Sequence, residues 1–335
     1  MEHRLLGSTG IRVSRLGLGT MAFGDTADEA TSQGLYRRAR EAGVNLFDCA
    51  NVYSAGRAEE FLGRLIARER SQVVLTTKVG FPMGTDPNDQ GLSRRHILSS
   101  VEDSLRRLQT DRVEFLFVHT LDPATRIEVT LRALDDLVRQ GKVLHVGVSN
   151  WAAWQIATAL AVARQHDWTP FSCVQPMYNL VKRQAEVEIL PLCHAERLGV
   201  LTYSPLGGGL LSGTYGKGRS PKEGRLVKNR MYKARYGDEA YFETADRFVA
   251  LAREIGIHPA TLAVAWVAAH PAVTAPILGA RNMKQLEPSL AAAEWMMSAE
   301  VYARVAALSP APPPATDRTE ERQGVAYAGS TETYH

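Results

Sequence analysis

The chain has 335 residues, 45% of them hydrophobic and 22% charged, which is enough apolar material for one large core. Its 39 Lys and Arg against 36 Asp and Glu leave a net charge of +3, with the signs interleaved, which speaks against a nucleic-acid-binding stripe or a polybasic membrane anchor. Cys49, Cys173 and Cys193 form no CxxC, no run approaches ~20 apolar residues, and MEHRLLGSTG lacks a signal-like apolar region. We therefore expect a reduced cytoplasmic protein with no nucleic acid, membrane or metal partner.

In chain order, residues 3–14 predict a small hairpin turning at Ser-Thr-Gly. LGLGT (Leu16–Thr20) is the first buried strand, followed by a helix over about Asp28–Ala42 closed by Gly43. NLFDCA is the second strand, and Glu59–Arg70 is a helix with Phe61, Leu62, Leu65 and Ile66 on one face. VVLTTKV (Val73–Val79) is the third strand, and Ser93–Leu108 a helix with a Ser cap. VEFLFVH (Val113–His119) is the fourth, then a helix over Ile127–Arg139 stopped at Gly141. VLHVGVS (Val143–Ser149) is the fifth, followed by a helix over Ala152–Gln165. Ser172–Gln175 is a short sixth strand, and Ala185–Arg197 a single helix stopped at Gly199. VLTYS (Val200–Ser204) is the seventh.

From Pro205 to about Gly237 the pattern predicts a long loop, a length uncommon without a function. Helices follow over Tyr241–Ile255 and Pro259–Ala269, the latter with Pro in its first turn. Thr274–Leu278 is the eighth strand; Met283–Ala293 is a helix, and a last helix ends near Leu308. Eight apolar strands alternating with helices imply a parallel α/β sheet covered on both faces, and the count favours closure into a barrel. The tail from Ser309 opens on prolines and turns polar; Val325, Tyr327 and Tyr334 are its candidate anchors, with Arg318 and Arg322 as carboxylate partners.

Three strand ends carry chemistry. Asp48 ends the second strand with Tyr53 five residues later, Lys78 lies at the end of the third, and His119 ends the fourth. Such ends form the mouth of a barrel. A phenol is a poor acid at neutral pH, and an ammonium beside it favours ionisation. Lys78 can supply that cation, Asp48 can partner Lys78, and His119 can donate to a carbonyl oxygen. The set suits delivery of a proton to a carbonyl as hydride reaches its carbon.

These residues, with LGLGT, FDCANVYSAGRAEEFLG, VVLTTK, LFVH, KVLHVGVSN, QPMYN, YSPLGGGLLSG and GARNMKQL, resemble the aldo-keto reductase superfamily from about Arg4 to Leu308, in the style of its bacterial and potassium-channel β-subunit-like branch. The resemblance implies a single (β/α)8 TIM barrel over residues 1–308, with an N-terminal hairpin and extra C-terminal helices, then a tail over 309–335. It implies an NADPH-dependent reductase of aldehydes or ketones, with Tyr53 as general acid, Asp48 and Lys78 tuning it, and His119 orienting the carbonyl. For the nucleotide it implies Gly19, Thr20, Met21 and Asp48 among the cofactor contacts, and Ser149, Asn150 and Gln175 on the nicotinamide carboxamide. Tyr203 would stack on the ring, Ser204, Leu206 and Gly209 would lie along the pyrophosphate, and Pro205 and Leu210 would be further cofactor contacts. Gly279, Arg281, Gln285 and Ser289 would hold the adenosine end. Phe23, Phe81 and Trp151 would line the substrate pocket.

Relatives in that branch usually carry Lys where this chain has Thr214, and an acid and an Asn where it has Pro288 and Ser289. NADP(H) is favoured through Arg281, and NAD(H) is left open as a second cofactor. A GxGxxG after the first strand is absent, which argues against a Rossmann domain. The expected partner is a small carbonyl compound, and a homo-oligomer is compatible. Two alternatives are a cofactor-binding regulatory subunit with weak activity and a barrel enzyme using Lys78 as a Schiff-base amine.

Overall fold

In the computed structural model, which describes residues 1–318, eight parallel strands close into one barrel. They are β3 (Gly17–Gly19), β4 (Leu46–Asp48), β5 (Val74–Val79), β6 (Val113–Val118), β7 (Val143–Ser149), β8 (Phe171–Gln175), β9 (Gly199–Thr202) and β10 (Ala275–Gly279). Each strand pairs with the next, and β10 closes on β3. The chain is a (β/α)8 TIM barrel. A hairpin of β1 (His3–Leu5) and β2 (Arg12–Ser14) accompanies it, with Val13 of β2 and Leu6 just after β1 joining the apolar cluster inside the barrel.

Strand parity aims the site. Side chains alternate between strand faces, so residues two apart share one. The interior cluster holds Leu46, Val74, Phe115, Phe117, Cys173, Leu201 and Ile277. Counting on by twos from these layers reaches Asp48, Thr76 and Lys78, His119, Gln175, Tyr203 and Gly279. The interior is a packed floor, and the polar members of the same rows form the mouth above it. Gly147 also follows this logic: a Cβ there would come within 2.5 Å of Phe117.

The outer helices are α1 (Glu29–Glu41), α2 (Arg57–Ile66), α3 (Arg94–Leu108), α4 (Ile127–Arg139), α5 (Ala153–Gln165) and α6 (Ile189–Ala195). Continuing the chain are α7 (Arg225–Lys228), α8 (Arg230–Tyr236), α9 (Glu239–Glu254), α10 (Pro259–Ala269), α11 (Met283–Leu290) and α12 (Ala299–Ala306). Asp28, Ser93, Asn229, Asp238 and Ser298 cap helices by accepting from backbone N–H groups.

Three expectations are corrected. The helix expected over 185–197 is a 3-10 turn (Gln184–Glu186) followed by α6. Pro191 is the reason: it lacks the N–H that a continuous helix needs there, so the helix restarts and places Pro191 in its first turn. The helix expected over 59–70 runs over Arg57–Ile66, with a 3-10 turn at Arg70–Gln72. The segment expected to be a loop over 205–237 contains a 3-10 turn (Gly207–Ser212), α7 and α8.

Among the described residues no single helix is long and apolar enough to cross a membrane. Arg183 ties α12 and the start of the tail to the barrel by donating to the carbonyls of Ala306 and Ser309. Arg322, Val325, Tyr327 and Tyr334 lie outside the described residues.

Candidate active site

Asp48 and Lys78 form the floor of the mouth. Parallel register sets Asp48 opposite Thr76, one inward step below Lys78. The Lys78 ammonium donates to Asp48 Oδ1, Asp48 Oδ2 and the Cys49 carbonyl, each at 2.7 Å, so its three N–H bonds are spent. Asp48 Oδ1 also accepts from Thr76 Oγ1 at 2.7 Å and Gln175 Nε2 at 2.8 Å. Both side chains are buried, and the pairing is what makes two buried charges tolerable.

Tyr53 stands over this pair, with Lys78 Nζ 5.1 Å from its ring centroid. The expected lowering of the phenol by Lys78 does not prevail. Burial pushes Tyr53 well above its ordinary value of 10, and the negative charge of Asp48 adds to the rise. The physical reason is that Lys78 is matched by Asp48 at contact distance, so little net positive charge is left to favour a phenolate. Tyr53 is therefore a neutral phenol that carries its proton across the physiological range.

The loop holding Tyr53 is strained. Ser54 and Ala55 take left-handed backbone at φ 51° and 54°, and Gly56 follows at φ 94°. Two clamps compensate. Ser54 Oγ donates to the Phe23 carbonyl at 2.7 Å. Arg107 packs against Gly56, where an added Cβ would meet its Cδ at 2.8 Å, and donates through Nε to the fully buried Glu59 at 2.7 Å. Thr77, beside Lys78, donates to the other oxygen of Glu59. One buried carboxylate thus links the strand bearing Lys78, α3 and the Tyr53 turn.

His119 meets Tyr53 edge-on with ring centroids 6.0 Å apart, and Phe81 meets His119 at 4.5 Å. Burial and the neighbouring Lys78 push His119 down to about 3, so its imidazole is neutral. Its Nδ1 is buried with no hydrogen-bond partner among the described residues. Asn150, in left-handed backbone at φ 61°, ties three strand ends together. Its Nδ2 donates to the His119 carbonyl and to Ser149 Oγ, and its Oδ1 accepts from the Tyr203 hydroxyl at 2.6 Å.

The residues expected to hold a nucleotide divide. Tyr203 is half-buried with its hydroxyl fixed, leaving a flat ring face at the mouth. Gly208 and Gly209 take left-handed backbone within the turn after Ser204 and Leu206, and nothing lies within 4 Å of a Cβ built on Gly279. Arg281 is exposed and forms no ion pair among the described residues, and its backbone N–H is fixed by Gln285 Oε1. This set fits a dinucleotide: a ring face, small residues where phosphates approach, and a free guanidinium. Gly19 and Thr20 are buried, with Thr20 Oγ1 on the Asp48 carbonyl, while Met21 is exposed. The side chains of Pro205 and Leu210 are buried, which leaves their backbone for contact.

Two expected contacts are not brought to the surface. Ser289 is buried and turns its hydroxyl to the Gln285 carbonyl. Phe23 is fully buried in the core, where Ser54 holds its carbonyl, so it does not line the substrate pocket. Trp151, edge-on to Phe171 and mostly buried, does line a cavity, together with Asn150, Met177 and Tyr203. Sequence reasoning missed Glu59, whose position on the apolar face of α2 with Leu62 and Ile66 was a signal. It also missed Thr76 and Arg107.

The family described as "Aldo/keto reductase family" matches residues 15–310. An uncharacterized oxidoreductase, YrpG, of Bacillus subtilis (strain 168) is 38% identical over 329 residues, covering 93% of this chain and 97% of that protein. A probable voltage-gated potassium channel subunit beta of Oryza sativa subsp. japonica is 37% identical over 328 residues, covering 95% and 99%. Its counterpart of the same description in Arabidopsis thaliana is 36% identical over 303 residues, covering 88% and 92%.

Proposed function

Since the chain belongs to the aldo/keto reductase family and is thereby an oxidoreductase, we propose that it reduces aldehydes or ketones to alcohols with NADPH, and oxidises alcohols in reverse. The observation that carries this reading is the neutral Tyr53 phenol standing beside neutral His119 above the Lys78–Asp48 pair. A bound reduced nicotinamide supplies hydride. Tyr53 delivers its Oη proton to the carbonyl oxygen as that oxygen gains negative charge. His119 orients the oxygen with a ring N–H, the Lys78–Asp48 pair holds the floor beneath the phenol, and the phenolate left after transfer regains a proton from solvent before the next turnover.

Tyr203 and Gln175 serve the nicotinamide end, and Arg281 reads a 2′-phosphate with its planar guanidinium, which favours NADPH over NADH. We place the protein in the cytoplasm on its three buried, free cysteines. Lys78 is a poor Schiff-base amine here, because all three N–H bonds of its buried ammonium are committed. The two plant relatives support a second reading, a nucleotide-binding subunit serving a channel.

A carbonyl panel assayed with NADPH and NADH tests the proposal, together with Tyr53→Phe. The variant should lose roughly 10²–10⁴-fold in kcat while binding NADPH nearly as before. Near-wild-type kcat would refute the role of Tyr53. NADPH binding with no turnover of any carbonyl would favour the subunit reading.

A further inference from the structure

Helix α8 carries three cations, Arg230, Lys233 and Arg235, of which only Arg235 is partly buried. Asn229 caps it by accepting from the Met231 and Tyr232 N–H groups, and its two buried aromatics, Tyr232 and Tyr236, stack 6.3 Å apart. Tyr232 packs on the glycine turn, since a Cβ on Gly208 would come within 2.8 Å of its ring. Asn179 Nδ2 donates both to the Tyr236 hydroxyl at 3.2 Å and to the Ser204 carbonyl at 2.9 Å, which seats α8 beside Tyr203 and the strand ends that form the mouth.

Arg235 lies on this helix. Its guanidinium is 5.4 Å from the Tyr232 ring centroid and is only partly exposed. Its charge also reaches Tyr203, where it opposes the larger rise caused by burial. No hydrogen bond or ion pair to Arg235 occurs among the described residues. The acids nearest to it in sequence are engaged elsewhere: Glu223 with Lys228, Glu239 and Glu243 with Lys217, and Asp238 in capping α9. A partly buried guanidinium held against an aromatic ring without a counterion is set to take an anion from outside the chain, and its fork matches carboxylate or phosphate.

We propose that Arg235 binds the anionic group of the substrate, so that the preferred substrates are carbonyl compounds carrying a carboxylate or phosphate. This rests on the reductase reading above. The same chemistry could serve the phosphates of the cofactor, and the test separates the two sources.

The full-length protein is assayed at saturating NADPH with 4-carboxybenzaldehyde and with 4-methylbenzaldehyde, alongside Arg235→Gln and Arg235→Lys. Wild type should prefer the carboxylated aldehyde in kcat/KM by roughly ten- to a hundredfold, the range of a charge-assisted bond. That preference should shrink with added KCl, vanish in Arg235→Gln and persist in part in Arg235→Lys. NADPH affinity is measured on each variant by nucleotide fluorescence. Equal loss on both aldehydes with weakened NADPH binding would assign Arg235 to the cofactor phosphates and overturn the proposal. Absence of preference in wild type would overturn it while leaving the reductase reading intact. Turnover of no carbonyl with either nucleotide would overturn both.

Discussion

Lys78→Met should destabilise the fold strongly, and Asp48→Asn should rescue it. The substitution keeps an unbranched apolar chain of similar reach, so it opens little cavity. It removes three contacts of 2.7 Å and leaves the Asp48 carboxylate, 4% exposed, with only Thr76 and Gln175 as donors. Breaking a buried pair from one side costs about 3–5 kcal/mol, because an uncompensated charge stays behind. Urea unfolding of wild type, Lys78→Met and Lys78→Met/Asp48→Asn at pH 7 reads this directly. The double variant should recover most of the loss at pH 7, since an amide needs no counterion. A single variant within about 1 kcal/mol of wild type at pH 7, or a double variant no better than the single, would refute the account of the pair.

Gly56→Ala should cost about 1–3 kcal/mol and depress kcat more than KM, because φ 94° disfavours a side chain and the Cβ would meet Arg107, which Glu59 holds in place; unchanged stability and kcat would show that the turn is not clamped. Arg281→Ala should weaken NADPH by roughly ten- to a hundredfold and NADH less, by nucleotide titration; equal losses would mean that Arg281 does not read the phosphate. His119 contributes an acid limit. Its folded value of about 3 lies below the usual 6.5, so the unfolded chain takes the proton first and stability falls as pH drops through that window. The contribution is at most about 5 kcal/mol. His119→Asn should flatten stability between pH 6.5 and 3, and a curve parallel to wild type would place the acid sensitivity elsewhere.

The strand–helix alternation, the barrel and the positions of Asp48, Lys78 and His119 were legible in the sequence, because each depends on a short-range period: apolar strand runs, two-residue alternation and a polar residue where the run ends. The same period reaches Gln175 and Tyr203 from Cys173 and Leu201. What the period could not give was anything set by distance through space. The phenol of Tyr53 is raised because Asp48 matches Lys78 at contact range, and only the closed barrel fixes that separation. Glu59 lies on the apolar face of its helix, but nothing in its own stretch supplies its partner until α3 delivers Arg107 to it. Phe23 reads as a pocket aromatic until the loop after β3 folds it into the core. The stretch from Pro205 to Gly237 reads as a loop because its basic, glycine-rich composition hides a single helical repeat, Tyr232 to Tyr236. That repeat becomes a helix because both rings find a place to be buried. Local pattern therefore determined which side chains point into the mouth, while charge state, strain and the helix carrying Arg235 were decided by packing between segments far apart in sequence.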